Sequence, residues 1–201
     1  MELDPRNLEG RGGYSLLTSL VVPRPIGWVS TVAIDGILNL APHSYFNAVS
    51  SDPPIVHFTS TGVKDTFRNA VATGEFVVNV VTHDLTDKMN LTAAKMPPGE
   101  NEFHWAGLTP VPSTMVAPPR VGEAKAAMEC KVRHTLEMGN GHMVFGEVVL
   151  FHIDESIWKD GAVDPDALHA LGRLGGSAYA TTEHVFRLDR PKWENGSITE
   201  S

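Results

Sequence analysis

A mainly β fold, arranged as a closed or partly open antiparallel barrel, is what this sequence predicts. Two observations carry the expectation. Runs of alternating or valine-rich apolar residues follow one another through tight-turn signals. They do so without the strand–helix repeat of a doubly wound sheet, with about three helical segments inserted between them.

The elements read in order as follows. The first dozen residues, ending Gly10-Arg11-Gly12-Gly13, read as a flexible lead-in. From residue 25 the pattern alternates: Ile26, Trp28, Ser30, Val32 and Ile34 fall on one face, Gly27, Val29, Thr31 and Ala33 on the other. Asp35-Gly36 is a pair that tight hairpin turns prefer, and 37–40 returns. Residues 55–59 form a strand launched by Asp52-Pro53-Pro54. A helix follows, capped near Asp65, striped by Phe67, Ala70 and Val71, and ended by Gly74. The run 75–82, EFVVNVVT, is a strand covered on both faces. Residues 84–95 read as a second helix, stopped by Pro97-Pro98-Gly99, and 110–119 as an irregular loop with four prolines. Two long strands, 124–138 and 142–153, flank Gly139-Asn140-Gly141. Asp164-Pro165 opens a third, short helix ending near Gly172.

Composition narrows the function. The chain has 201 residues, about one domain's worth. Hydrophobic residues are 42% and charged residues 20%, ordinary globular values. Sixteen basic against 24 acidic residues leave a net charge of −8, which argues against nucleic acid or an anionic membrane as the main partner. No apolar run approaches the roughly 20 residues of a membrane helix, and the opening MELDPRNLEG is no secretory leader. A single cysteine, Cys130, placed mid-strand, reads as a core thiol in a reducing, cytoplasmic setting.

Four groups of residues bear on chemistry. Residues 39–54, NLAPHSYFNAVSSDPP, are dense in small polar side chains. There Ser44, Asn47 and Ser50 can hydrogen-bond a flat polar heterocycle while Tyr45 and Phe46 pack against it; the same composition also serves a long hairpin loop that satisfies its own backbone. In 60–69, STGVKDTFRN, a strand runs into a helix start. The free N–H groups of that start, its positive dipole end, Lys64 and the Thr66 hydroxyl can converge on a phosphate, or the helix is simply a capped one. Arg24, held between two prolines, is a second cation for such an anion. The nine histidines show no pair at the four-residue spacing of a zinc helix, so no metal site is expected. In 173–179, Arg173 and Tyr179 flank a Gly175-Gly176 pair that either caps a helix or closes over a ligand.

Taken together, the runs 23–31 (PRPIGWVST), 39–47 (NLAPHSYFN) and 51–54 (SDPP), Lys64-Asp65-Thr66 with Asn69, Gly141-His142 with Gly146-Glu147-Val148, and Arg173-Leu174-Gly175-Gly176 with Tyr179 resemble the flavin reductase-like, FMN-binding split-barrel family, in its longer branch. The resemblance spans residues 23–179 in order. It implies a six-stranded antiparallel Greek-key split barrel with about three flanking helices, over residues 23–180. Residues 1–22 would then be a lead-in and 181–201 a C-terminal extension. It implies a homodimer with FMN near the subunit interface. Thr31 and Ser44, Tyr45, Phe46 and Asn47 would hold the ring and ribityl chain, and Ser60, Lys64, Asp65, Thr66 and Asn69 the phosphate turn. Arg24, Arg173 and Tyr179 would lie around the cofactor, and His142 beside the nicotinamide of NAD(P)H. The implied activity is NAD(P)H-dependent reduction of FMN; the alternative is a non-enzymatic FMN-binding electron carrier. Hydride transfer to flavin is the cofactor's own chemistry, so the protein has only to position and tune it.

Overall fold

A computed structural model describes residues 1–97, 99–194 and 196–199. Pro98 of the helix-stopping run, and Asn195, Glu200 and Ser201 of the C-terminal extension, lie outside them.

In chain order the elements are α1 (Gly12–Leu20), β1 (Arg24–Pro25), β2 (Gly27–Val32), β3 (Leu38–His43), β4 (Phe46–Ser51), β5 (Pro54–Thr61), α2 (Asp65–Thr73), β6 (Glu75–Val80), α3 (Thr86–Leu91), α4 (Glu102–Trp105), β7 (Ala126–Met138), β8 (Gly141–Ile153), α5 (Pro165–Leu168), β9 (Leu171–Arg173) and β10 (Tyr179–Thr181). One seven-stranded antiparallel sheet, in the order β3-β2-β6-β7-β8-β5-β4, forms the split barrel. The crossovers are of Greek-key kind, and β4 adds an edge strand to the expected six.

The barrel closes around Val29, Val56, Phe58, Phe76, Val78, Cys130, Val144 and Val148. Gly146 is part of that packing: a Cβ there would meet the Phe76 ring at 2.4 Å. A second core lies on the other side of β2, where Trp28 and Leu40 pack against Leu85 and Met89, and against Phe103 of α4. Strands β2 and β6 are therefore buried on both faces. Val77 and Val78 are both fully enclosed. That explains why the alternation from Ile26 to Ile34 does not separate core from solvent; the strand ends at Val32 and Ile34 is exposed.

Several expectations change. The lead-in holds a helix, α1, whose last turn is fixed from outside, because Arg24 donates to the carbonyls of Thr18 and Val21. The 37–40 return is β3, as expected, but it runs on to His43, and 46–51 is a further strand, β4, where a hairpin loop was one reading; their polar side chains sit at a sheet edge where backbone pairing uses the amides. The 84–95 helix shrinks to α3, preceded by a turn of 3-10 helix. α4 adds a helix whose single turn is too short to show periodicity. α5 ends at Leu168 instead of near Gly172, because His169 turns left-handed and 171–173 pairs as β9 with β1 and β10.

Candidate functional site

The open edges of the barrel sheet are β3 and β4, and beside that split one side chain spans from β3 to β5. His43, the last residue of β3, donates from Nδ1 to the carbonyl of Thr59 on β5 at 3.3 Å, while Thr59 N–H donates to Tyr45 O at 2.8 Å. Because the carbonyl can only accept, the proton sits on Nδ1 and Nε2 is a bare acceptor. Burial, the largest cause, pushes the His43 pKa down to about 4, so the ring is neutral near pH 7. Its Nε2 is buried and has no protein partner.

His43 lines a cleft of about 930 Å³, within the roughly 300–1,000 Å³ range of ligand pockets. Asn39, Ser44, Tyr45 and Thr59 line it beside His43; Tyr14 of α1 and the 92–96 segment line it as well. Lys64, Asp65 and Thr66, at the start of α2, also border it. No side chain caps the α2 N-terminus, whose Ncap is Lys64 itself. Its first N–H groups and its positive dipole end are thus available to an anion. Ahead of it Gly62 takes φ +92, a conformation that favours glycine, and its N–H donates to Asn140 O at 3.0 Å, tying the turn to the β7–β8 hairpin.

Beneath the helix start lies a buried polar network. Asn39 Nδ2 donates to Thr66 Oγ1 at 3.0 Å and to Thr31 Oγ1 at 3.2 Å, and Asn69 Nδ2 donates to Thr31 Oγ1 at 3.2 Å. Thr31 is completely enclosed. This network sets the position of α2 relative to β2 and β3. Glu102 of α4, also lining the cleft, accepts the Leu40 N–H at 2.9 Å, and burial raises its pKa.

The structure brings Ser44, Tyr45, Lys64, Asp65 and Thr66 to the cleft. Thr31 and Asn69 support it from below. Ser60 is buried, and its hydroxyl donates to Gly62 O at 2.7 Å, shaping the turn. The Asp65 carboxylate is taken by Arg68. Phe46 belongs to the barrel core, packed over Gly27, where a Cβ would come within 2.7 Å of its ring. Asn47 is exposed on β4 and accepts the Ala48 N–H. Neither Phe46 nor Asn47 lines the cleft. His142 also lies outside the lining: its ring packs on Phe67 of α2 at 5.1 Å, with Nδ1 3.3 Å from Glu137 Oε1. Arg24, Arg173 and Tyr179 gather in a separate small pocket that borders the cleft. His43 and Glu102 were not singled out from sequence; each stands in a run rich in polar residues, and nothing local marks it as buried. Among the described residues no cluster of His, Cys, Asp and Glu is arranged to hold a metal.

The donor set suits a flavin nucleotide: an acceptor for a ring N–H or a ribityl hydroxyl, and a helix start with a lysine for a phosphate. Comparison with known proteins agrees. The profile of the flavin reductase like domain matches residues 19–169. The fold superposes on nitrilotriacetate monooxygenase component B from Bacillus cereus with a TM-score of 0.90 and 35% identity, over 94% of this chain and 98% of that one. It superposes equally, at 0.90 and 31% identity, on the 2-nitrobenzoate 2-nitroreductase NbaA of Pseudomonas fluorescens, over 96% of this chain and 98% of that one. The reductase subunit HsaB of a flavin-dependent monooxygenase from Mycobacterium tuberculosis is 30% identical over 167 residues, 83% of this chain and 79% of HsaB. Split barrel, sequence profile and relatives coincide, and the chain belongs to the flavin reductase like family, a family of oxidoreductases that take a flavin as substrate or cofactor.

Proposed function

We propose that the protein is an FMN-binding oxidoreductase that reduces its flavin with NAD(P)H. The observation that carries this reading is the pairing, in one cleft, of a buried bare acceptor, His43 Nε2, with an uncapped helix start bearing Lys64. The flavin supplies the hydride-accepting ring. The chain's own residues bind and orient it. His43 Nε2 accepts from a ring N–H or a ribityl hydroxyl, the α2 N-terminus and Lys64 hold the phosphate, and Ser44 and Tyr45 border the ring. No proton need move through a side chain, which agrees with the neutral His43. An electron-carrier role is less well supported, since the relatives named above are a reductase, a reductase subunit and a monooxygenase component.

A homodimer fits the exposed apolar side chains of Leu136, Met138 and Phe151 on the two long strands. A reducing, cytoplasmic setting fits the single buried thiol of Cys130, whose pKa burial raises. No helix among the described residues is long and apolar enough to cross a membrane.

The direct test is anaerobic addition of NADH or NADPH to the protein loaded with FMN. Rapid bleaching of the flavin absorption is the expected result; a flavin that stays oxidised with both donors returns the electron-carrier reading. Lys64→Ala should weaken FMN, and not riboflavin, by about tenfold. That is the low end for a charged hydrogen bond, because Lys64 is exposed. Equal losses for both flavins would remove Lys64 from the phosphate site.

A further inference from the structure

Beside the flavin cleft lies a second, smaller pocket of about 190 Å³ between α1 and the 173–179 turn. The two share Tyr14, Pro42, Ser44 and Ala93 in their linings. Arg24 and Arg173 line the small pocket, and among the described residues no acidic one does, in a chain that carries 24 acids.

Among the described residues neither guanidinium has a carboxylate partner. Arg24 is 6% exposed, and its NH1 and NH2 groups donate only to backbone carbonyls: Thr18 O at 2.5 Å, Val21 O at 2.8 Å and Leu174 O at 2.9 Å. Its Nε–H is buried with no acceptor. Arg173 lies over the Tyr179 ring at 4.4 Å, bonded to the Tyr179 hydroxyl and to Gly176 O. A buried cation ordinarily has a counter-charge, because desolvation without one is costly. Here carbonyls satisfy the terminal nitrogens of Arg24, no counter-charge is found among the described residues, and the residue lines a pocket.

The glycines of the turn build this wall. A Cβ at Gly175 would come within 2.5 Å of Ser19 Oγ on α1, and Gly176 sits at φ +58. Gly175 lets the turn close on the helix, and the pairing of β1 with β9 sets Arg173 opposite Arg24. The RLGG run thereby acquires a physical role that a helix cap does not explain.

We propose that this pocket is an oxyanion subsite. It takes the carboxylate or phosphate group of a molecule whose remainder reaches into the flavin cleft, with Arg24 Nε–H as the fixed donor and Arg173 as the adjustable cation. What the rest of that molecule does rests on the flavin reading; the anion binding does not.

The test is titration calorimetry of the full flavin-free chain with sodium phosphate and, separately, sodium acetate, each against sodium chloride at matched ionic strength. Saturable binding of either oxyanion, absent with chloride, is the expected result. Phosphate alone would point to a phosphorylated molecule, and acetate alone to a small carboxylic acid. Arg173→Gln should weaken that binding at least about tenfold. Tyr179→Phe removes the hydroxyl competing for Arg173 and keeps the ring beneath it, so it should bind as tightly as the parent or more so. Heats that chloride reproduces, or unchanged affinity in Arg173→Gln, would overturn the proposal; should that variant not fold, weaker binding by Tyr179→Phe would do so. Fluorescence titration with FMN and riboflavin separates the two sites. If Arg173→Gln loses FMN but keeps riboflavin, the pocket holds the flavin's own phosphate and the second subsite falls. If phosphate binds but neither flavin does, the flavin reading fails and this one stands.

Discussion

Lowering the pH from 7 to 5 should destabilise the flavin-free protein through His43. Folding holds this ring at about 4, against 6.5 for an ordinary histidine, mainly because it is buried across the barrel seam. The unfolded chain therefore binds the proton more readily. The stabilisation is complete above 6.5 and is lost as pH falls through the window from 6.5 to about 4. With those two values, linkage gives a loss of about 2 kcal/mol between pH 7 and pH 5, and about 3 kcal/mol once both states are protonated. Urea unfolding at pH 7, 6 and 5 measures it, compared with His43→Asn. Asparagine places an N–H near Nδ1, so it keeps the donor to Thr59 O while removing the titration. Carboxylates such as Glu129 and Asp154, which are lowered, and Glu102, which is raised, titrate alike in both proteins and cancel in the difference. The difference between the two proteins should thus change by about 2 kcal/mol over this range. Parallel stability curves would refute the neutral, buried imidazole, and with it the acceptor assigned to the flavin cleft.

Two further substitutions test other parts of the reading. Gly146→Ala should destabilise the barrel by about 1–3 kcal/mol, since the new Cβ would lie 2.4 Å from the Phe76 ring and 3.0 Å from Cys130 Cβ; a melting temperature equal to the parent's would show that Phe76 yields freely. His142→Ala should cost about 1 kcal/mol through lost packing on Phe67, whereas His142→Leu should retain both stability and the rate of flavin reduction by NAD(P)H in stopped flow. A slower reduction in the leucine variant would put the imidazole back beside the nicotinamide.

Legibility in the sequence followed the range of each interaction. The two long strands were readable nearly to the residue, 124–138 and 142–153 against Ala126–Met138 and Gly141–Ile153, because their alternation is local and the turn between them is glycine-rich. α2 was readable for the same reason, from Asp65 to its left-handed Gly74. α1 was not. Its own run, GGYSLLTSL, opens with two glycines, and the contacts that fix its end come from Arg24 and from the turn around Gly175. β3 was readable only as the 37–40 return of its hairpin, and its continuation to His43 and all of β4 were missed because strand pairing at an edge leaves polar side chains free to look like a loop.

The site divides along the same line. Lys64 and Thr66 were legible because a helix start is a local feature with its own dipole. His43 was not, since its role depends on Thr59 lying across a seam that only the closed sheet creates. Arg24 was legible as a constrained cation, but its constraint is tertiary: carbonyls of Thr18, of Val21 and of Leu174, 150 positions away, engage its terminal nitrogens and leave Nε buried without an acceptor. The resemblance implies a ligand role for this arginine without saying which ligand. What separates a flavin phosphate from a second oxyanion is the side of Ser44 on which the charge resides, and that is a property of the assembled barrel.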